Sequence, residues 1–172
     1  MTPVALRLKL TDLIAAWENE VVEFKEVSND YDTDKIGRYF SALANEANLR
    51  DVDAGWLVFG VNNKTRAVVG TSYRPERERL DGLKHQIAQG ADPTITLRQI
   101  HEVDVEGARV VMLEVPPAPR GMPISWKGHY YARSGESLAP LNIGKLEEIR
   151  AQTLDTDWSA QVVEGATLDD LD

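Results

Sequence analysis

"WLVFGVNNKTRAVVG", residues 56 to 70, decides how the rest of the chain is read. Its first six residues are almost wholly apolar, as expected of a strand buried on both faces. "NNKTR" then supplies the polar residues of a turn, and "AVVG" predicts a return strand paired with the first. A strand covered on both sides needs helices packed against its sheet, and the flanking sequence supplies them.

Upstream, residues 35 to 48 place Ile36, Phe40, Leu43, Ala44 and Ala47 on one helical stripe. "NDYDTD" before it offers Asp32 or Thr33 as the N-cap. Earlier still, "EVVEFKE" changes period: Val22 and Phe24 face one way and Glu23 and Lys25 the other, which is strand alternation. Residues 5 to 17 carry Leu6, Leu10, Leu13 and Ile14 near helical spacing. Downstream, residues 76 to 89 read as a helix ending at Gly90. "TITLRQIHEVDV" and "ARVVMLEV" form a predicted hairpin turning at Glu106-Gly107, and "ISWKGHYYAR" another turning near Lys127-Gly128. "PPAPRGMP" between them is a stiff loop. "SGESLAPLN" reads as a loop before a last helix at 143 to 153.

The predicted class is α+β: a central mixed, largely antiparallel sheet with packed helices. Residues 1–152 form the expected domain, and 153–172 an acidic linker or the truncated start of a following module. Trp56 is expected in the core, whereas Trp126 and Trp158 are expected as exposed anchors for a neighbouring module.

Composition narrows the chemistry. The 172 residues are 42% apolar and 27% charged, ordinary for a globular domain with one core. With no cysteine there is no disulfide, thiolate nucleophile or cysteine-bound zinc. No apolar run matches a membrane span, and the N-terminus is too polar for a signal peptide, so a cytoplasmic location is expected. The net charge of −9 argues against phosphate binding until its distribution is seen. Residues 147 to 172 hold eight acids and one base, which leaves 20 acids and 18 bases in the body.

Within that body, Lys64, Arg66, Arg74, Arg77, Arg79 and Lys84 crowd residues 64 to 84 and offer either a basic patch or a solvated helix face. In "HYYARSGES", Arg133 follows two tyrosines: a guanidinium fork suits phosphate, tyrosines stack on bases, and a structural salt bridge is the alternative. Glu23 and Lys25 share a strand face, either as an ion pair fixing register or as a phosphate contact in which Glu23 orients Lys25. The chain has no G-x4-G-K-[ST] loop and no G-x-S-x-G elbow, and His85, His101 and His129 lack metal-ligand spacing.

Four segments in order, "ENEVVEFK" (18–25), "SALANEANL" (41–49), "WLVFGVNNKTRAVVG" (56–70) and "GHYYARSGESL" (128–138), resemble the Schlafen-type AlbA-2 domain. The resemblance implies an α+β fold with a central sheet. It also implies two activities. In bacteria such domains stand at the N-terminus of transcriptional regulators or helicase-related proteins, ahead of C-terminal modules, and are regarded as DNA-binding. In animals a related lobe is a metal-dependent endoribonuclease. Its site resembles E-x4-E-F-K plus an acid after the buried strand. Carried over, the two glutamates fall on Glu18 and Glu23, the lysine on Lys25 and the third acid on Asn63. Asn63 removes a charge from a site that would hold Mn²⁺ or Mg²⁺ through carboxylates. The expected function is therefore nucleic-acid binding, DNA or RNA, through Lys25, Lys64, Arg66, Arg74, Arg77 and Arg133 without a cofactor. Metal-dependent cleavage through Glu18 and Glu23 is the alternative, and a protein-interaction domain or homodimer the third.

Overall fold

The computed structural model describes residues 1–16 and 20–152. Glu18 lies outside the described residues, as does the 153–172 segment with Trp158. Helix α1 (Pro3–Ala15) starts on Thr2, whose side chain accepts the Ala5 N–H, with proline in the first helical position. Strand β1 (Val22–Lys25) leads to α2 (Thr33–Leu49), capped by Asp32 through the Asp34 N–H. Strand β2 (Gly55–Phe59) and α3 (Arg77–Gly90) follow. The remaining strands are β3 (Ala91–Asp92), β4 (Gln99–Val105), β5 (Ala108–Val115), β6 (Ser125–Trp126), β7 (His129–Ser134) and β8 (Ser137–Pro140). Residues 143–152 are helical and form α4.

The main sheet runs β1-β2-β5-β4, with β1 parallel to β2 and the other pairs antiparallel. All five β2 residues are buried, as the apolar run requires. On one face Leu6, Leu10 and Leu13 of α1 cover Phe24, Trp56, Val58 and Met112. On the other, α2 and α3 bring Phe40, Leu43, Leu83 and Ile87 onto Leu57, Phe59 and Leu113. Burying each such side chain contributes about 1.5–3 kcal/mol, so the two-sided cover of β2 is the largest favourable contribution here. The architecture is α+β.

The return strand expected at "AVVG" does not form; only Val61 and Val68 bridge. Antiparallel β5 already fills the ladder beside β2, down to Phe59↔Val111. Gly60, at φ 106, then turns the chain out of the sheet, and its carbonyl accepts from Val69 and Gly70. The loop expected at "SGESLAPLN" instead contains β8, paired to β7 through Ala132↔Ala139.

The second sheet, β3-β6-β7-β8, is completed by a helix. Strand β6 reaches only Tyr130 and His129 of β7. Beyond that point α2 supplies the missing partners. Ser41 Oγ accepts the Tyr131 N–H (3.1 Å), Asn45 donates to the Tyr131 carbonyl (2.9 Å), and Glu46 accepts the Arg133 N–H (3.1 Å). Buried backbone groups demand partners, and polar side chains on a helix satisfy them here.

Trp126 is buried, contrary to its expected role as an exposed anchor. Its indole lies between α2 and α3, where a Cβ on Gly37 would sit 2.0 Å from the ring and one on Gly90 2.4 Å. Both helices tolerate glycine, which weakens helices, because only glycine leaves room for the ring. The indole N–H donates to Asp34 (2.9 Å), which with Arg38 and Lys127 holds the Asp34 carboxyl below its ordinary value. Among the described residues no helix is long and apolar enough to cross a membrane.

Candidate nucleic-acid interface

Strand alternation sends Glu23 and Lys25 to the α2 face of the main sheet, where Glu23 is buried. Its Oε1 accepts from Arg133 Nη2 at 2.7 Å and its Oε2 lies 3.2 Å from Lys25 Nζ. The Arg133 side chain has no exposed surface. It also donates to the Glu136 carbonyl (3.1 Å), and its guanidinium carbon stands 6.0 Å from the Tyr39 ring centroid. Lys25 sits over the same ring at 5.2 Å and keeps 30% of its side chain exposed. Burial lowers the Lys25 pKa, but the Tyr39 hydrogen bond and Glu23 outweigh it and hold it above 10.5. Lys25 is thus a permanent cation at neutral pH.

The ion pair between Glu23 and Lys25 is therefore present, and Arg133 takes the structural rather than the phosphate-facing option. Both carboxylate oxygens of Glu23 already face cations. Asn63 borders a cleft with Val22, Phe24, Arg66 and Glu136, on the α1 side of β1 rather than beside the Glu23 carboxylate. Among the described residues no group of three or more acids or histidines is arranged to hold a metal ion. Glu23 and Asn63, the two carried-over positions that are described, thus do not converge on one point.

Further cations are carried by the chain segments that leave the end of the main sheet where parallel strands β1 and β2 finish. The loops that follow them meet there: Asn62 bonds Glu26 (3.0 Å), and Ser72 N–H donates to the Ser28 carbonyl (2.8 Å). Asn62 also accepts the Lys64 and Thr65 N–H groups, forming the turn that lifts Lys64 into solvent. Lys64 and Arg74 have no carboxylate partner among the described residues. Arg74 donates to the Arg79 carbonyl (2.9 Å) and Gln86 (2.8 Å), which orient its guanidinium. Arg66 covers the Phe24 ring at 4.6 Å and touches Glu136 only at 3.9 Å. Glu26 and Asp30 share this end, so the surface is mixed rather than uniformly basic. Arg77 is engaged elsewhere, by Asp81 (3.0 Å) and Glu102 (3.1 Å).

Several site residues gave little sequence signal. Glu46 is buried in α2 and receives Lys145 Nζ of α4 (2.5 Å), which also donates to the Arg133 carbonyl (3.1 Å). Arg50 pairs with Glu20 and approaches Glu46. The only hint was the crowding of Ser41, Asn45 and Glu46 in the otherwise apolar stretch 39–47 of α2. His101, set aside for its spacing, bonds Glu114 across the β4–β5 hairpin (2.8 Å). Burial raises the Glu114 pKa, but His101 and Arg98 more than reverse this and leave it below 4.5.

The fold is similar to that of the DIP2311 protein from Corynebacterium diphtheriae, with TM-score 0.60 and 20% identity over 87% of this chain. The chain spans 33% of that protein's length. The N-terminal domain of a RecG-related protein from Nitrosomonas europaea overlaps 80% of this chain and 91% of its own at 22% identity and TM-score 0.49. No curated protein sequence matches the chain. The family match itself runs across β1, α2, both sheets and the β7–β8 hairpin: over residues 18–142, most of its length, the chain belongs to the Schlafen, AlbA_2 family.

Proposed function

We propose that this domain binds nucleic acid, with DNA as the ligand, as one module of a longer transcriptional regulator or helicase-related protein. The observation supporting this reading is that the chain beyond β2 carries Lys64, Arg66 and Arg74 while β1 ends at Lys25, with Lys25 on the α2 side of the main sheet and Arg66 on the α1 side. Two of these, Lys64 and Arg74, have no carboxylate partner among the described residues. Ammonium and guanidinium groups left unneutralised on an acidic protein are where phosphate can displace counterions. Family membership fits a nucleic-acid-related role.

Fluorescence anisotropy of a labelled DNA duplex over a salt series tests the proposal. Two to four phosphate contacts predict that log affinity falls with log salt at a slope of about −2 to −4. The duplex should stay intact with Mn²⁺ present. Salt-independent binding, or none at low salt, would overturn the proposal, and Mn²⁺-dependent fragments would favour the nuclease reading.

A further inference from the structure

A groove of about 300 Å³ runs along the β7–β8 hairpin beside Arg38 of α2. Its lining includes Arg38, His129, Tyr131, Leu138 and Pro140. Register explains the aromatic and apolar floor. Tyr131 lies directly across from Pro140, and alternation puts His129 on the same face as Tyr131, ring centroids 6.5 Å apart. Arg38 lines the groove, and Lys127 stands outside it on the far side of a shared carboxylate. Arg38 lies 2.6 Å and Lys127 3.5 Å from the Asp34 carboxylate, and their side chains keep 44% and 63% of their surface exposed. Lys35 is exposed one helical turn before Arg38, on the same side of α2. Two cations on the one Asp34 carboxylate, which also takes the Trp126 N–H, leave positive charge over.

Two aromatic rings tilted 54° to each other beside positive charge are complementary to a nucleotide: its base stacks on one ring while the phosphate meets Arg38 or Lys127. Paired bases in a duplex offer no such face, whereas single-stranded bases do. We infer that this groove is a stacking subsite for one base of single-stranded nucleic acid, with Arg38 and Lys127 on the flanking phosphates. The inference rests on the nucleic-acid reading of the preceding subsection and adds to it a second site and a preference for unpaired strands.

The test uses the 172-residue chain and an oligonucleotide carrying 2-aminopurine, presented single-stranded and as a duplex, with anisotropy and fluorescence read together. Stacking on His129 or Tyr131 quenches the probe in the single strand. The Arg38→Ala/His129→Ala variant, both positions on the surface, should bind the single strand at least about fivefold more weakly. Its duplex affinity and urea midpoint should stay unchanged. An unquenched probe, or a variant that keeps full single-strand affinity, would overturn the groove while leaving duplex binding intact. Loss of both affinities in equal proportion would also overturn it. If the wild type binds neither form, the nucleic-acid reading fails and the groove proposal with it.

Discussion

Arg133 and Arg74 are the same residue put to opposite uses. Arg133 lies inside the protein between Glu23 and the Tyr39 ring, with its Nε and Nη1 lacking hydrogen-bond partners among the described residues. Arg74 lies at a loop edge, held by a carbonyl and an amide and, among the described residues, by no carboxylate. The first cation is spent on the fold. It joins β7 to β1, and through the Arg133 N–H and carbonyl it is linked to Glu46 of α2 and Lys145 of α4. The second, in the proposed function, keeps its charge for a ligand. Charge type alone does not reveal function; what the charge already faces does.

The contrast breaks most visibly at the buried pair. Arg133→Leu leaves the buried Glu23 carboxylate with Lys25 alone as its cation and should cost up to about 3 kcal/mol, read from urea unfolding. Glu23→Leu added to it should recover much of that loss, because the one cation then left without a carboxylate, Lys25, keeps 30% of its side chain exposed to water. If Arg133→Leu left the urea midpoint in place, the pair would not be structural.

How far these roles were legible beforehand depends on the range of the interaction behind them. Both hairpin turns, the Asp32 cap and the buried β2 strand were readable because local spacing and turn chemistry set them. Glu23 and Lys25 were readable as a pair because they lie two apart on one strand. Arg133 was not, because its partner is 110 residues away. Nor was the strand-like role of Ser41, Asn45 and Glu46, since helical periodicity says nothing about a neighbouring strand that lacks a partner. Trp126 looked like a surface anchor until Gly37 and Gly90 were seen on either side of it.

That sandwich gives the next effect in size. Gly37→Ala pushes a methyl into the Trp126 ring and should destabilise by about 1–3 kcal/mol, with a change in tryptophan fluorescence. A neutral outcome would mean that α2 and the indole separate freely.

Acid should act through Glu114. Its folded pKa lies below 4.5, so the stability it contributes is full above that value and is lost as pH falls through the depressed one. The urea midpoint of the wild type should therefore drop between about pH 5 and pH 2, and Glu114→Gln should flatten that drop. An identical pH profile in the variant would remove Glu114 from the account.

The loop cations should have the smallest effect on stability and a clear one on binding. Lys64→Glu and Arg74→Glu should each leave stability within about 0.5 kcal/mol. Each should also flatten the DNA salt slope by about 1. A salt slope unchanged in both variants would place the polyanion elsewhere on the surface.

The measurement that bears most directly on the division between spent and free charge is a Mn²⁺ titration of thermal unfolding for the wild type beside Glu23→Gln. A carboxylate whose two oxygens face Arg133 and Lys25 has none left for a metal, so Mn²⁺ should not shift the two midpoints differently, although Glu23→Gln starts lower. A Mn²⁺-dependent rise in the wild type that disappears in Glu23→Gln would contradict this. It would show that Glu23 releases its cations to bind a metal.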